Sequence, residues 1–140
     1  MKKKLFYGCG LFVLSFLATF LILHSYVKIT TPNEHEEWIQ KKGWNIAFYI
    51  PKKEKFTVPE YPEALRTYSL ANVHFNGYKD KKITQYRYRL KESCNKEYLE
   101  AVILTVEEKM LGSYIDVSDS KPGVTEMVDK DMYMNEVCLY

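Results

Sequence analysis

The sequence predicts an α+β protein, in which an N-terminal transmembrane helix is followed by a small domain with two helices packed on a largely antiparallel sheet of about five strands. Three observations lead to this fold class. An uncharged apolar run follows three lysines at the N-terminus, two segments carry helix start signals, and several later segments alternate apolar and polar residues. Alternation with a period of two is typical of strands, because successive side chains point to opposite faces of a sheet.

The N-terminal segment has the features of a membrane anchor. Lysines at 2–4 precede nineteen residues, 5–23, without a charged side chain. A helix of that length spans a hydrocarbon core of about 30 Å, and lysines stay on the cytoplasmic side of such a helix. We therefore expect a single-pass membrane helix from Leu5 to Val27, with the N-terminus in the cytoplasm. A signal peptide that is cleaved to release a secreted domain is the alternative, although the apolar run is long for one.

The chain divides into three predicted parts: a cytoplasmic lysine cluster and transmembrane anchor over 1–27, a linker over 28–33, and an extracytoplasmic α+β domain over 34–140. The lysines at 2–4 account for three of the 20 basic residues, so the 17 that remain face 18 acidic ones. A nearly neutral domain argues against nucleic-acid binding, which needs a concentrated basic surface. The expected partners are the membrane and a protein or cell-wall component.

Two helices are predicted after the anchor. Thr31, Pro32 and Glu34 form the start of the first, with Thr31 as the N-cap of a capping box and Pro32 at the first helical position. Gly43 fits the left-handed residue that ends a helix. Pro62 begins the second helix, since proline is favoured in the first turn.

Alternating patterns predict the strands. The first two are a half-buried strand over 44–50 and a short strand over 56–58, with a turn over 52–55 between them. Three later runs form an antiparallel meander and cover residues 84–90, 100–106 and 110–117. Gly112 lies inside the last of these runs, where a glycine indicates either a bulge or a close contact.

The order of these elements, together with Gly43-Trp44, Gly77-Tyr78, Tyr86-Arg87-Tyr88 and Leu111-Gly112, resembles a domain-of-unknown-function family of Gram-positive bacteria (Firmicutes). The similarity covers about 34–117. Members of that family are short proteins with an N-terminal membrane segment and a small exported domain. The resemblance therefore implies a location and a fold class, and it implies no activity.

Two cysteines lie outside the predicted anchor, Cys94 and Cys138. Thiols of an exported domain can oxidise, and closing a loop of this length would stabilise the fold by about 4 kcal/mol in the chain-entropy model. The sequence leaves both alternatives open, a Cys94–Cys138 disulfide and two free thiols.

A cluster of basic residues is the second candidate site. It could contact anionic lipid headgroups or wall polymer near the anchor. The alternative is a solvated sheet face whose charges are balanced by acids on the neighbouring strand. The cluster consists of Lys79, Lys81, Lys82, Arg87 and Arg89.

No motif for catalysis, metal binding or a cofactor is complete. His35-Glu36 begins the zinc-protease pattern HExxH, but Ile39 occupies the position of the second histidine, so the pattern predicts only a solvated helix face. We therefore expect no catalytic, metal or cofactor site. The sequence favours a binding or interaction module, with an inhibitor or immunity-type protein as the alternative and a small hydrolase as the least favoured function.

Overall fold

The computed structural model describes residues 2–47, 50–117 and 123–138, with side chains at all of these except 2–11 and 27–30. In these residues the chain forms four helices and one five-stranded antiparallel sheet. The α+β class and an antiparallel sheet of five strands are therefore confirmed, but the part of the chain after the N-terminal helix has three helices where two were predicted. The elements in chain order are α1 (Lys2–Thr30), α2 (Asn33–Lys41), β1 (Lys52–Thr57), α3 (Pro62–Leu70), β2 (Lys82–Cys94), β3 (Glu97–Val106), β4 (Lys109–Val117), β5 (Val124–Glu126) and α4 (Lys130–Glu136).

Helix α1 is 29 residues long and takes in the first part of the predicted linker. Every one of its described side chains, over 12–26, is exposed, and most of them are large and apolar. Only Thr31 and Pro32 separate α1 from α2. Across the described residues, no helix combines the length and the apolarity of a membrane span.

The sheet is a simple meander, because its spatial order β1-β2-β3-β4-β5 is also the order of the chain. Two tight turns create the central hairpins. Asn95 and Lys96 connect β2 to β3 with φ of 51° and 74°, and Glu107 and Glu108 connect β3 to β4 with φ of 50° and 67°. Two successive positive φ angles are the signature of type I′ turns, whose twist matches that of the strands they join.

Both faces of the sheet carry a core. On one face, α2 and α4 cover a cluster that contains the fully buried Trp44 and Tyr133, whose rings meet edge to face at 5.4 Å between centroids. On the other face, α3 and the segment after it cover a second cluster around Val73, Val102 and Tyr114. Burial on both sides explains why the residues of β3 over 101–106 are all buried instead of alternating between buried and exposed.

Three local predictions need correction. The strand predicted over 44–50 is, among its described residues, a single bridge between Ile46 and Leu90, and residues 48 and 49 lie outside the described part. The turn predicted over 52–55 is the first part of β1, which pairs with β2 along its whole length. The N-cap of α2 is Pro32 and no side chain caps that helix, so the predicted capping box is wrong.

The two informative glycines take the roles that their positions predict. Gly43 ends α2 with φ of 79°. Gly112 lies both at a β-bulge and in a close contact. A register shift lies opposite it, between Leu104 and Thr105, and an added Cβ would lie 3.1 Å from Cγ2 of Val73. The segment that follows α3 therefore packs directly on the backbone of β4.

Candidate functional site

An open cleft of about 610 Å³ lies between α3, the segment after β1 and the loop before β2. Its apolar lining consists of Val58, Pro59, Leu65, Val73 and Phe75. Its polar lining includes Glu60, Ser69, His74, Asn76 and Lys79. An apolar wall with a few polar groups is the composition of a small-molecule or side-chain binding site.

A smaller depression of about 300 Å³ lies on the same face of the sheet and contains a network of fixed charges. Nη1 of Arg87 donates hydrogen bonds of 2.6 Å to Oε2 of Glu100 and of 2.6 Å to Oδ2 of Asp116. Burial opposes the charge on Arg87, but the hydrogen bonds to both carboxylates outweigh it and raise the pKa of Arg87. Burial disfavours the charged form of Tyr68 and Tyr114 beside it and therefore raises the pKa of both phenols, which stay protonated at neutral pH.

A buried histidine lies on the opposite face, under α2. His35 is 5% exposed, and its Nδ1 shares a hydrogen bond of 2.7 Å with the hydroxyl of Tyr88. The ring also meets Tyr86 edge to face at 4.7 Å. Burial lowers the pKa of His35, an effect that the charge of Glu34 partly opposes. The predicted solvated helix face is therefore wrong at His35, which anchors α2 to the sheet.

This histidine should make the fold sensitive to acid. Since its pKa is lower in the folded state than the ordinary value of about 6.5, the unfolded chain takes up the proton first as pH falls, and stability is lost below about pH 6.5. We expect wild type to lose more stability than His35→Gln between pH 7.5 and pH 5, because the glutamine variant has no imidazole to protonate. Urea unfolding of the full chain in mild detergent at both pH values measures this difference.

The matched control is His74→Gln, because His74 is exposed at the cleft. This variant should follow wild type at both pH values. An equal loss of stability in wild type and His35→Gln would show that the buried ring does not carry the pH dependence.

The structure joins Cys94 and Cys138 in a disulfide with a Cα–Cα distance of 5.3 Å. Cys94 is the last residue of β2, and Cys138 follows α4. Both cysteines are buried against the cluster that holds Trp44 and Tyr133. The bond therefore fixes the C-terminal segment, including α4, over the core.

The five predicted basic residues have different surroundings. Arg87 belongs to the carboxylate network, and the guanidinium of Arg89 lies 4.2 Å from the ring centroid of Tyr98. Lys81 forms an exposed ion pair of 2.6 Å with Glu107. The two remaining residues, Lys79 and Lys82, are exposed at the cleft and at the start of β2.

A second basic feature lies in the segment 52–55, which was predicted to be a turn. β1 is an edge strand of the sheet, and its residues Lys52, Lys53 and Lys55 are exposed. Nζ of Lys53 lies 5.1 Å from the ring centroid of Tyr86, its direct cross-strand partner. The prolines at 51 and 59 that bracket this segment are a sequence signal that could have indicated an edge strand, since proline is tolerated there.

In the described part of the chain, no three His, Cys, Asp or Glu side chains are grouped to hold a metal ion. Comparisons with protein-family models, with curated proteins and with solved structures found no match to this chain. The function must therefore be inferred from the geometry of the chain itself.

Proposed function

We propose that the protein is a single-pass membrane-anchored binding module whose domain lies outside the cytoplasm. The observation that carries the anchor is the exposure of every described side chain of α1, over 12–26, most of which are large and apolar. Exposed apolar area costs about 25 cal/mol per Å² in water, and a helix that is apolar on all sides is stable when lipid surrounds it. The uncharged run in the sequence continues to Leu5, which supplies the length for a span.

Two features support export of the domain. The lysines at 2–4 favour a cytoplasmic N-terminus, because basic residues next to a membrane helix stay on that side. The Cys94–Cys138 disulfide fits an oxidising compartment better than a cytoplasm that keeps thiols reduced.

The described residues favour binding over catalysis. The cleft beside α3 is open and partly apolar, and the edge strand β1 is exposed. The buried histidine, His35, is held against Tyr88 beneath α2, whereas His74, which lines the cleft, is exposed. Arg87 is held between the carboxylates of Glu100 and Asp116, so these three groups form a fixed ion-pair network on the sheet.

Protease treatment of intact cells tests the topology. A chain tagged at its N-terminus should stay in carbonate-washed membranes, and trypsin added outside should remove the domain while the tagged helix remains. A domain that is found in the medium before trypsin is added would overturn the anchor. A domain that resists trypsin until the cells are permeabilised would overturn its location outside the cytoplasm.

Charged residues placed within α1 test directly whether this helix holds the chain in the membrane. Leu17→Arg together with Leu21→Arg should release the chain from washed membranes, because each arginine near the middle of a span costs about 2.5–3.5 kcal/mol. Leu17→Ala with Leu21→Ala is the matched control and should remain in the membrane fraction. Membrane retention of the arginine variant would contradict the proposal.

A further inference from the structure

We infer that the free edge of β1 binds an extended acidic segment of a partner protein, which adds to the sheet as a further strand. The inference rests on the proposed binding function and names the class of partner. In this mode of recognition, main-chain hydrogen bonds supply affinity, and the side chains at alternate positions supply specificity.

The position of β1 leaves one side available. It pairs antiparallel with β2 from Lys52↔Arg87 to Thr57↔Lys82, and no other described strand lies on its outer side. Five of its six side chains are exposed, Phe56 being the exception. A strand of six residues is long enough to pair with an added segment of typical strand length.

The charges of β1 select the partner. Lys53 and Lys55 share one face of the strand, since they are two residues apart. Acidic residues at alternate positions of an added strand would lie directly opposite them, where opposite charges stabilise a pair and like charges destabilise it. A second copy of this chain is disfavoured, because two β1 edges would bring six lysines together with only two glutamates.

Lysines on an edge strand are a common protection against indiscriminate pairing with other strands. On β1 the lysines disfavour pairing with basic or purely apolar strands and favour pairing with an acidic one. The same charges therefore protect the edge against indiscriminate pairing and select the partner. The position of Lys53 is partly fixed in advance, because its ammonium lies over Tyr86 and the Tyr86 ring stacks on Tyr88 at 6.5 Å. A charge that is already ordered loses less entropy when a partner binds.

A protein segment fits this edge better than an anionic polymer or lipid. The three lysines are divided between the two faces of the strand, with Lys52 on the face opposite to Lys53 and Lys55. A flat anionic surface would meet only one of these faces. An extended peptide reaches both faces and also uses the backbone groups of the edge.

The test measures binding of a short fluorescent peptide, in which glutamate alternates with valine, to the full chain in neutral-lipid nanodiscs. We expect saturable binding that Lys53→Glu with Lys55→Glu weakens about tenfold or more, since two attractive pairs become repulsive. Lys41→Glu with Lys109→Glu makes the same change in net charge at exposed positions away from β1, and it should stay within about twofold of wild type. Equal unfolding curves for both variants confirm that they are folded.

A second peptide separates strand addition from simple charge attraction. N-methyl groups at alternate residues keep the acidic side chains but remove the hydrogen-bond donors, so this peptide should lose about tenfold in affinity or more. Equal binding of the methylated peptide, or of inorganic polyphosphate, would overturn the inference in favour of a polyanion surface. Absence of binding by the unmethylated peptide would overturn it outright. Neither result bears on the anchored topology, which the protease experiment decides separately.

Discussion

Replacing both Cys94 and Cys138 with alanine is expected to lower the free energy of unfolding of the domain by about 4 kcal/mol. The disulfide joins residues 44 positions apart, so it removes a large loop-closure entropy from the unfolded chain. Alanine is the suitable replacement because both cysteines are buried and a polar side chain would add a cost of its own. Urea unfolding of the oxidised wild type and the double variant measures the difference.

Two controls define this result. Cys9→Ala removes the third cysteine, which lies in α1, and should leave the unfolding curve of the domain unchanged. Wild type treated with dithiothreitol should move to the stability of the double variant. Because Cys138 holds α4 over the core and Tyr133 contacts Trp44, reduction should also change tryptophan fluorescence. Equal unfolding free energies with and without the bond would contradict the prediction.

Much of the central sheet could be predicted because its information is local. The runs over 84–90, 100–106 and 110–117 are joined by short turns, so pattern and topology coincide in a meander. The first four residues of β1, at 52–55, were missed for the opposite reason. Its lysine-rich sequence has little intrinsic strand propensity, and it becomes a strand because the ladder with β2 pairs its backbone.

The C-terminal elements depend on contacts that no local pattern contains. β5 has three residues and α4 has seven, lengths at which neither element is stable alone. Tyr133 packs on Trp44, and Nε1 of Trp44 donates a hydrogen bond of 3.0 Å to the carbonyl of Val128. Distant residues of the chain therefore hold this segment in place.

The candidate sites also depend partly on local sequence and partly on contacts between distant segments. The cleft combines residues on both sides of α3 with the loop before β2, and only the tertiary fold brings these segments together. The burial of His35 follows from the packing of α2 on Tyr86 and Tyr88, whereas the incomplete HExxH pattern indicated only that zinc was not expected there. The lysines of β1 are different, because the prolines that flank this segment, at 51 and 59, are a local signal compatible with an edge strand.

Arg87→Met is expected to lower the free energy of unfolding by about 2–3 kcal/mol, somewhat less than the cost of breaking a fully buried ion pair. The substitution leaves the carboxylates of Glu100 and Asp116 together without their cation. Their side chains are 12% and 23% exposed, so water compensates for the loss only in part. Urea unfolding at pH 7.5 measures the change.

A triple variant shows whether the loss comes from unpaired charge. Arg87→Met with Glu100→Gln and Asp116→Asn removes all three charges and should recover most of the lost stability, because no uncompensated carboxylate remains. Lys81→Met breaks the exposed pair with Glu107 and should change little, since water screens such pairs. If the triple variant is no more stable than Arg87→Met, the charges do not explain the loss, and Arg87 stabilises the sheet through the packing of its aliphatic stem instead.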